Sequence, residues 1–199
     1  MILVIDSATA ACSVALLEGT DVVAEIHEEI GRGHAERLMP MIGDLLGTRR
    51  PSSILVDCGP GSFTGVRVGV AAAHGLSIGW QIPLAGYSSM AIIAAAAEAS
   101  EVAIALLGGH GQLFVQSFRN APLEPTDELR SLTPGEAAAA VTAELVLGSG
   151  AEALVNARGH GEAVPALPRA ADAVLLPEAL RSLPARPIYG RAPDARPMQ

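Results

Sequence analysis

The sequence contains no lysine and only two cysteines, and aromatic residues make up 3% of its 199 residues. Cys12 and Cys58 alone provide neither a disulfide framework nor the spacing of a metal site. The five histidines include no i, i+4 pair, so a helical metal site is not expected. Without lysine, the usual phosphate-binding side chain of nucleotide loops is missing. These absences argue against a disulfide-stabilised protein, a metal centre and a P-loop nucleotidase.

The charge balance is acidic, with a formal net charge of −8 and no basic run. Phosphate contacts require clustered cations, so strong unassisted binding of nucleic acid is not expected. Half of the residues are apolar, which is enough for a sizeable core built from alanine, valine, leucine and isoleucine. The length fits one large domain or two small ones.

One long run, residues 68–97, contains no aspartate, glutamate or arginine. Its length raises the question of a membrane span. Gln81, Pro83, Gly86 and residues 88–89 divide it, so a helix, a strand and a second helix are expected instead. The chain begins with a strand pattern and lacks a basic start, which predicts a cytoplasmic protein.

The order of periodic segments predicts two related α/β halves, residues 1–100 and residues 101–199. The expected strands are 1–5, 12–17, 22–26, 54–57, 83–86, 102–107, 113–118 and 144–147. The expected helices are 34–46, 64–79, 88–97, a helix beginning at Thr133 with a capping box to Glu136, 151–157 and 178–183. Pro40 lies inside the first helix, and Gly47 is expected to end it.

The stretch 58–65 holds three glycines and a proline between a strand and a helix. Such a loop binds an anion with its N–H groups or serves as a packing joint, and both interpretations stay open. Asp6 ends the first strand, where it either holds a metal–nucleotide or caps the turn. The turn that follows has no glycine, and no Walker A lysine is present. The candidate anion-binding residues are Asp6, Ser7, Gly59, Gly61, Ser62 and Thr64.

No Gly-x-Ser-x-Gly elbow is present, so a hydrolytic triad is unsupported and no catalytic residue is predicted. The first two helices suggest a different role. The first has an apolar arc of roughly 160° at 100° per residue, and the second is lined with small residues. Together they either leave an apolar patch for a partner or are used up in the core. The candidate partner-facing residues are Ala35, Leu38, Met39, Ile42, Gly65, Val66, Gly69, Ala72 and Ala73.

Several segments in this order and spacing resemble the TsaB (YeaZ) family. These are residues 5–9 and 12–16 of the first hairpin, 34–42 with the internal proline, and 59–76 with the glycine-rich loop. Residues 187–194 are similar to the family's closing Pro-x-Tyr-x-Arg segment. The likeness covers roughly residues 1–90. Residues 106–114 depart from it, because relatives usually carry an Asp-Ala-Arg-like segment before a Glu-Val-Tyr strand there.

The resemblance implies an actin-like, sugar-kinase-like (ASKHA) α/β fold of two duplicated halves, each with a mixed sheet flanked by helices. It implies a role in making N6-threonylcarbamoyladenosine (t6A) next to the anticodon of tRNA. It further implies a non-catalytic scaffold without a cofactor, which pairs with TsaD through its first two helices and helps to recruit the ATPase TsaE. Contact with tRNA is then made only through the complex, and both a homodimer and a monomer stay open for the isolated chain.

Two rival hypotheses come from other classes of function. One is an ATP-dependent small-molecule kinase or ATPase of the same fold, with Asp6 holding the metal. The other is a homodimeric regulatory protein that pairs through the same two helices.

Overall fold

This computed structural model describes 190 residues, Met1 to Gly190. The first of its two sheets contains five strands. The strands are β1 (Ile2–Asp6), β2 (Ala11–Glu18), β3 (Asp21–Glu29), β4 (Ser53–Asp57) and β5 (Leu84–Tyr87). Their order is β3-β2-β1-β4-β5. The first three are antiparallel, whereas β4 and β5 run parallel to β1. The predicted antiparallel start and both later strands are confirmed.

Two helices, α1 (His34–Leu46) and α2 (Phe63–Trp80), pack on one face of this sheet. The core contacts of α1 come from one side of the helix, where Leu38, Met41 and Leu45 are each less than 5% exposed. Spacings of three and four residues place these side chains on the same side of the helix. The predicted bounds of α1 are confirmed at both ends, and α2 extends one residue beyond its predicted bounds on either side.

The second sheet contains six strands from residues 101–164. They are β6 (Glu101–Leu107), β7 (Leu113–Arg119), β8 (Glu124–Pro125), β9 (Arg130–Leu132), β10 (Leu145–Leu147) and β11 (Glu162–Val164). Helices α3 (Ser89–Ala95), α4 (Pro134–Ala140) and α5 (Ala151–Arg158) complete the regular structure. The predicted capping box is present, with Thr133 N donating to the Glu136 carboxylate at 2.9 Å.

The core of the molecule lies between the two sheets. Val4 and Leu17 of the first sheet, Ile92 of α3, and Ile104 and Phe118 of the second sheet belong to one buried cluster. The first sheet is therefore covered on both faces. This explains why β1 and β2 are apolar almost throughout instead of alternating.

The last described segment returns to the first sheet. Leu183 and Gly86 exchange backbone hydrogen bonds of 2.7 and 3.0 Å, and Ile188 N donates to Cys58 O at 2.7 Å. The helix predicted over 178–183 is wrong in length, because only Glu178–Leu180 forms a single 3-10 turn. Pro184 and the prolines around it prevent a longer helix. A second 3-10 helix, Ala170–Leu175, was not predicted.

The predicted division into residues 1–100 and 101–199 separates the two sheets, and as a domain boundary it stays a prediction. The uncharged run 68–97 is divided among α2, β5 and α3, as expected. None of the helices within residues 1–190 has the length and apolar character needed to cross a bilayer.

Candidate functional site

The glycine-rich loop before α2 is pressed against the turn that follows β1. Ser62 N donates to Ala8 O at 2.6 Å, and Ser7 Oγ donates to Gly65 O at 2.9 Å. A Cβ atom on Gly61 would overlap the carbonyl oxygen of Ala8, and one on Gly65 would overlap that of Ser7. Glycine is required at these two positions because the two backbones touch. The loop therefore acts as a packing joint, one of its two predicted roles.

Two carboxyl groups lie buried beneath this joint, at the ends of neighbouring parallel strands. Asp6 ends β1 and is 0% exposed, and Asp57 ends β4 and is 1% exposed. Asp6 Oδ2 accepts a hydrogen bond of 2.8 Å from the Tyr87 hydroxyl. Asp57 accepts from Ser89 Oγ at 2.6 Å and from Gly59 N at 2.8 Å.

The environment of this pair favours protonation. Burial raises the pKa of Asp6 from 3.8 to about 6, against the opposing effect of its hydrogen bonds. Burial and the neighbouring charge of Asp6 hold the pKa of Asp57 well above its usual value. Asp6 Oδ1 is buried and has no hydrogen-bond partner among the described residues. The raised pKa values of the two neighbouring acids favour a bound proton on this pair inside the core.

The structure separates the six residues that were predicted to bind an anion. Asp6 and Ser7 are buried in the interior, because both faces of β1 are covered. Of the six candidate residues, only Gly61 and Ser62 line the open cleft described below. Asp57 was not singled out from the sequence. Its position at the end of a buried strand is the signal that could have found it.

An open cleft of about 790 Å³ runs from the first sheet to the second. On one side it is lined by the turn after β1, the start of α2 and the C-terminal segment. On the other side it is lined by the β6–β7 connection. Its apolar lining residues include Phe63, Val66, Leu106, Leu107, Phe114 and Tyr189. The volume of the cleft is within the range of small-molecule sites, which are also lined mainly by apolar side chains.

Arg67 is the one charged residue that lines this cleft within the described part of the chain. Its guanidinium carbon lies 3.6 Å from the centroid of the Phe63 ring and 5.9 Å from that of Tyr189. Its Nε and Nη2 donate to the Tyr189 hydroxyl at 3.3 and 3.2 Å. The Pro-x-Tyr part of the predicted closing segment therefore reaches the cleft. Residues 191–194 of that segment lie outside the described residues.

The residues predicted to face a partner fall into two groups. Six of the nine are buried within the chain, namely Leu38, Ile42, Gly65, Val66, Gly69 and Ala73. This corrects the prediction for them, because their side chains or Cα atoms are covered by the first sheet and its turn. A Cβ atom on Gly69, for example, would lie 2.5 Å from Ser7 Oγ. Ala35 and Met39 are exposed and Ala72 is half-buried, so for these three the interface stays a prediction.

No group of three or more histidine, cysteine, aspartate or glutamate side chains is arranged for a metal within residues 1–190. Both thiols are buried, and burial raises the pKa of Cys12 to about 11 and that of Cys58 to about 12. Neither cysteine is therefore a nucleophile at neutral pH.

Comparison with protein families matches residues 21–172 to the family described as "TsaD: tRNA N6-adenosine threonylcarbamoyltransferase". The "tRNA threonylcarbamoyladenosine biosynthesis protein TsaB" of Escherichia coli (strain K12) is 43% identical over 98 residues. That alignment covers 47% of this chain and 42% of the relative. The protein of the same name from Haemophilus influenzae is 40% identical over 101 residues, with 48% and 42% covered. The chain thus aligns with less than half the length of these curated relatives.

Solved structures extend the likeness to nearly the whole chain. A crystal structure described as "YeaZ from Pseudomonas aeruginosa" superposes with a TM-score of 0.77 at 28% identity, covering 94% of this chain and 98% of that one. A second structure from that organism, described as similar to the peptidase YEAZ, gives 0.80 at 28% identity over 96% and 99%. The ethanolamine utilization protein EutJ of Carboxydothermus hydrogenoformans shares the fold, with a TM-score of 0.50 at 13% identity over 87% and 88%. The predicted actin-like α/β fold with two mixed sheets is confirmed.

Proposed function

We propose that this chain is a subunit of the cytoplasmic machinery that makes t6A in tRNA. The premise is that the chain belongs to the TsaB (YeaZ) family, within the broader TsaD family. Its proposed role is that of a non-catalytic scaffold. It pairs with TsaD and helps to recruit TsaE with ATP, and it meets tRNA only through that complex. The observation that carries the scaffold role is the exposed apolar side of the first two helices.

This surface is called the α1–α2 face below. It consists of the exposed residues Ala35, Met39, Pro40 and Gly43 of α1 and Ala71, Gly75, Ile78 and Gly79 of α2. Ile78 is 77% exposed and Met39 is 47% exposed, which places both among the large apolar side chains most open to solvent. A helix that only covers a sheet usually turns charged residues toward water. The apolar character of this face supports a partner there.

The charges of α2 agree with the same role. Its 18 residues include no acidic side chain, and the two that can carry a positive charge are Arg67 and His74. Arg67 lies at the cleft, and His74 Nε2 is 2.9 Å from the carbonyl oxygen of Ala185. The other exposed residues of α2 are uncharged, and three of them, Ala71, Gly75 and Gly79, are small enough to let the backbone of a partner helix approach closely.

Arginine substitutions on this face are expected to weaken pairing with TsaD. Ala71→Arg and Ile78→Arg each place a cation in a contact that buries apolar surface, so the affinity for TsaD of the same organism should fall at least about tenfold. Co-expression with tagged TsaD and quantitative co-purification measure the loss. Gly69 is unsuitable for this test, because it is buried and its substitution would disturb the fold.

Ala139→Arg is the matched control, since Ala139 is also an exposed alanine of a helix, on α4 in the other half of the chain. It should leave pairing unchanged. Circular dichroism and urea unfolding of all variants establish that they are folded. Wild-type co-purification of both Ala71→Arg and Ile78→Arg would disprove the assignment of the face. Loss of a homodimer without loss of TsaD binding would favour the regulatory homodimer instead.

The scaffold role also predicts weak nucleotide binding by the isolated chain. Arg67 is the one cation lining the cleft in the described residues, and the N–H of Ser62 is already bound to Ala8 O. A triphosphate usually requires several such donors. Calorimetry with ATP and Mg²⁺ tests this, and tight Mg²⁺-dependent binding would replace the scaffold proposal with the kinase or ATPase alternative.

A further inference from the structure

Within residues 1–190, Arg67 forms no ion pair, although the whole chain carries a net charge of −8. The salt bridges of residues 1–190 involve five other arginines and one histidine, and none includes Arg67. Its guanidinium donates instead to a neutral phenol, the hydroxyl of Tyr189. Its charge is therefore available to an anion that enters the cleft.

The guanidinium is also held in one orientation. It stacks on the Phe63 ring at 3.6 Å, and the Phe63 and Tyr189 rings lie 6.0 Å apart at 38°. Stacking of this kind is worth about 0.5–1 kcal/mol at an exposed site, and it reduces the rotamer freedom that binding would otherwise remove. Tyr189 comes from the C-terminal segment, which Ile188 N anchors to Cys58 O at 2.7 Å. The positive group is thus preorganised at the edge of the cleft.

The walls beyond Arg67 are apolar. Leu106 and Phe114 of the second sheet line one wall of the cleft. Phe63 and Val66 of α2 line the opposite wall. Phe63 is 59% exposed and Leu107 is 61% exposed, although both line a concave surface. No aspartate or glutamate of the described residues lines it. An anion is therefore not repelled, and an apolar body gains by covering the exposed side chains of Phe63 and Leu107.

We propose that this cleft binds a small apolar monocarboxylate. The carboxylate pairs with the Arg67 guanidinium, whose planar fork suits two parallel hydrogen bonds. The apolar body lies between Phe63 at the start of α2 and the leucines at the end of β6. A single carboxylate is favoured over a polyphosphate because one cation faces the cleft. This site lies beyond the proposed scaffold function and does not depend on it.

The test uses 4-phenylbutanoate as the probe, with 4-phenylbutanamide and 4-phenylbutylamine as neutral and cationic analogues of the same body. Titrations of the full chain are followed by amide chemical shifts in NMR spectra. We expect the carboxylate to bind at least about tenfold more tightly than the amide and the amine to bind least. The shifts should include Gly109 and Ser149, which line the cleft. Raising the salt concentration should reduce the difference in affinity between the carboxylate and the amide, because the ion pair is open to solvent.

Two pairs of variants establish the roles of the charge and the wall. Arg67→Gln should bring the affinity for the carboxylate down to that for the amide, whereas Arg67→Lys should retain part of the preference. Leu107→Asp should weaken carboxylate binding at least about tenfold by placing a like charge in the cleft. Leu175→Asp is its control, since Leu175 is 52% exposed and does not line the cleft.

Equal affinities of carboxylate and amide, or an unchanged carboxylate affinity in Arg67→Gln, would overturn the proposal. So would the absence of binding by the carboxylate at millimolar concentration, with the chain shown to be folded by its spectrum. Pairing with TsaD is measured separately through Ala71→Arg and Ile78→Arg. Failure of one proposal is therefore distinguishable from failure of the other.

Discussion

Asp57→Asn is expected to raise the free energy of unfolding at about pH 8 and to reduce its decline between about pH 4 and pH 7. Asp6 and Asp57 are both fully buried, and their folded-state pKa values lie above the unfolded value of 3.8. For such acids the folded state binds more protons than the unfolded state. Stability is then greatest near and below the unfolded pKa and falls as the pH rises through the folded pKa.

The raised pKa of Asp6 gives the scale of the stability loss that one such buried acid causes. A rise from 3.8 to about 6 is about two units, which corresponds to about 3 kcal/mol of lost stability above pH 6. Asparagine at position 57 keeps one oxygen, which can accept from Gly59 N, and its amide nitrogen takes the place of Asp57 Oδ2 and donates to Ser89 Oγ. Asp6 stays buried in this variant, so its own contribution to the pH dependence remains.

Urea unfolding at several pH values measures this effect. Asp44→Asn is the control, because Asp44 is an exposed carboxylate on α1. It should leave both the stability and its pH dependence close to those of the wild type. An unchanged slope in Asp57→Asn would show that the two carboxyl groups do not share a proton. A uniform loss of stability at every pH would mean that the acid at position 57 is needed for packing alone.

Gly65→Ala is expected to destabilise the protein by about 3 kcal/mol, and Gly75→Ala to stabilise it by up to about 1 kcal/mol. Both glycines lie in α2, where alanine is intrinsically favoured. A Cβ atom at position 65 would overlap the backbone carbonyl oxygen of Ser7, which cannot move without shifting the turn after β1. A Cβ atom at position 75 meets no atom within 4 Å.

The two substitutions are matched in chemistry and helix, so propensity cancels and the difference of about 4 kcal/mol reports the contact with the turn. Denaturant unfolding of both variants measures it. Equal effects of the two substitutions would mean that α2 does not need to approach the first hairpin closely. The expected result would identify the glycine-rich loop and the start of α2 as the joint that positions the α1–α2 face and one wall of the cleft.

Much of the fold follows from local patterns. The three- and four-residue spacing of Leu38, Met41 and Leu45 predicts α1, and Gly33 and Gly47 bound it where the helix begins and ends. The capping box at Thr133 was predicted because its reciprocal hydrogen bonds join residues three apart. The cap of α3 is equally local, since the Ser88 side chain accepts a hydrogen bond from Met90 N two residues along the chain. Such features depend on neighbours in the sequence, so the sequence contains the information needed to find them.

The candidate sites depend on contacts that periodicity does not specify. The wide apolar arc of α1 includes Met39 and Leu38, and only the packing against the sheet determines that Leu38 is buried and Met39 exposed. The small residues of α2 predict a close approach. Whether Gly65 approaches a partner or the chain itself depends on where the turn after β1 lies.

By itself, the sequence determined eight of the eleven strands in their order, the five α-helices, and the resemblance to a family, but it missed β8, β9 and β11. The tertiary structure decided the pairing of Asp6 with Asp57, the position of Arg67 beside Tyr189, and the surface left open on α1 and α2. The physical reason is separation along the chain. Arg67 and Tyr189 are 122 residues apart, and only the return of the C-terminal segment to the first sheet brings them together.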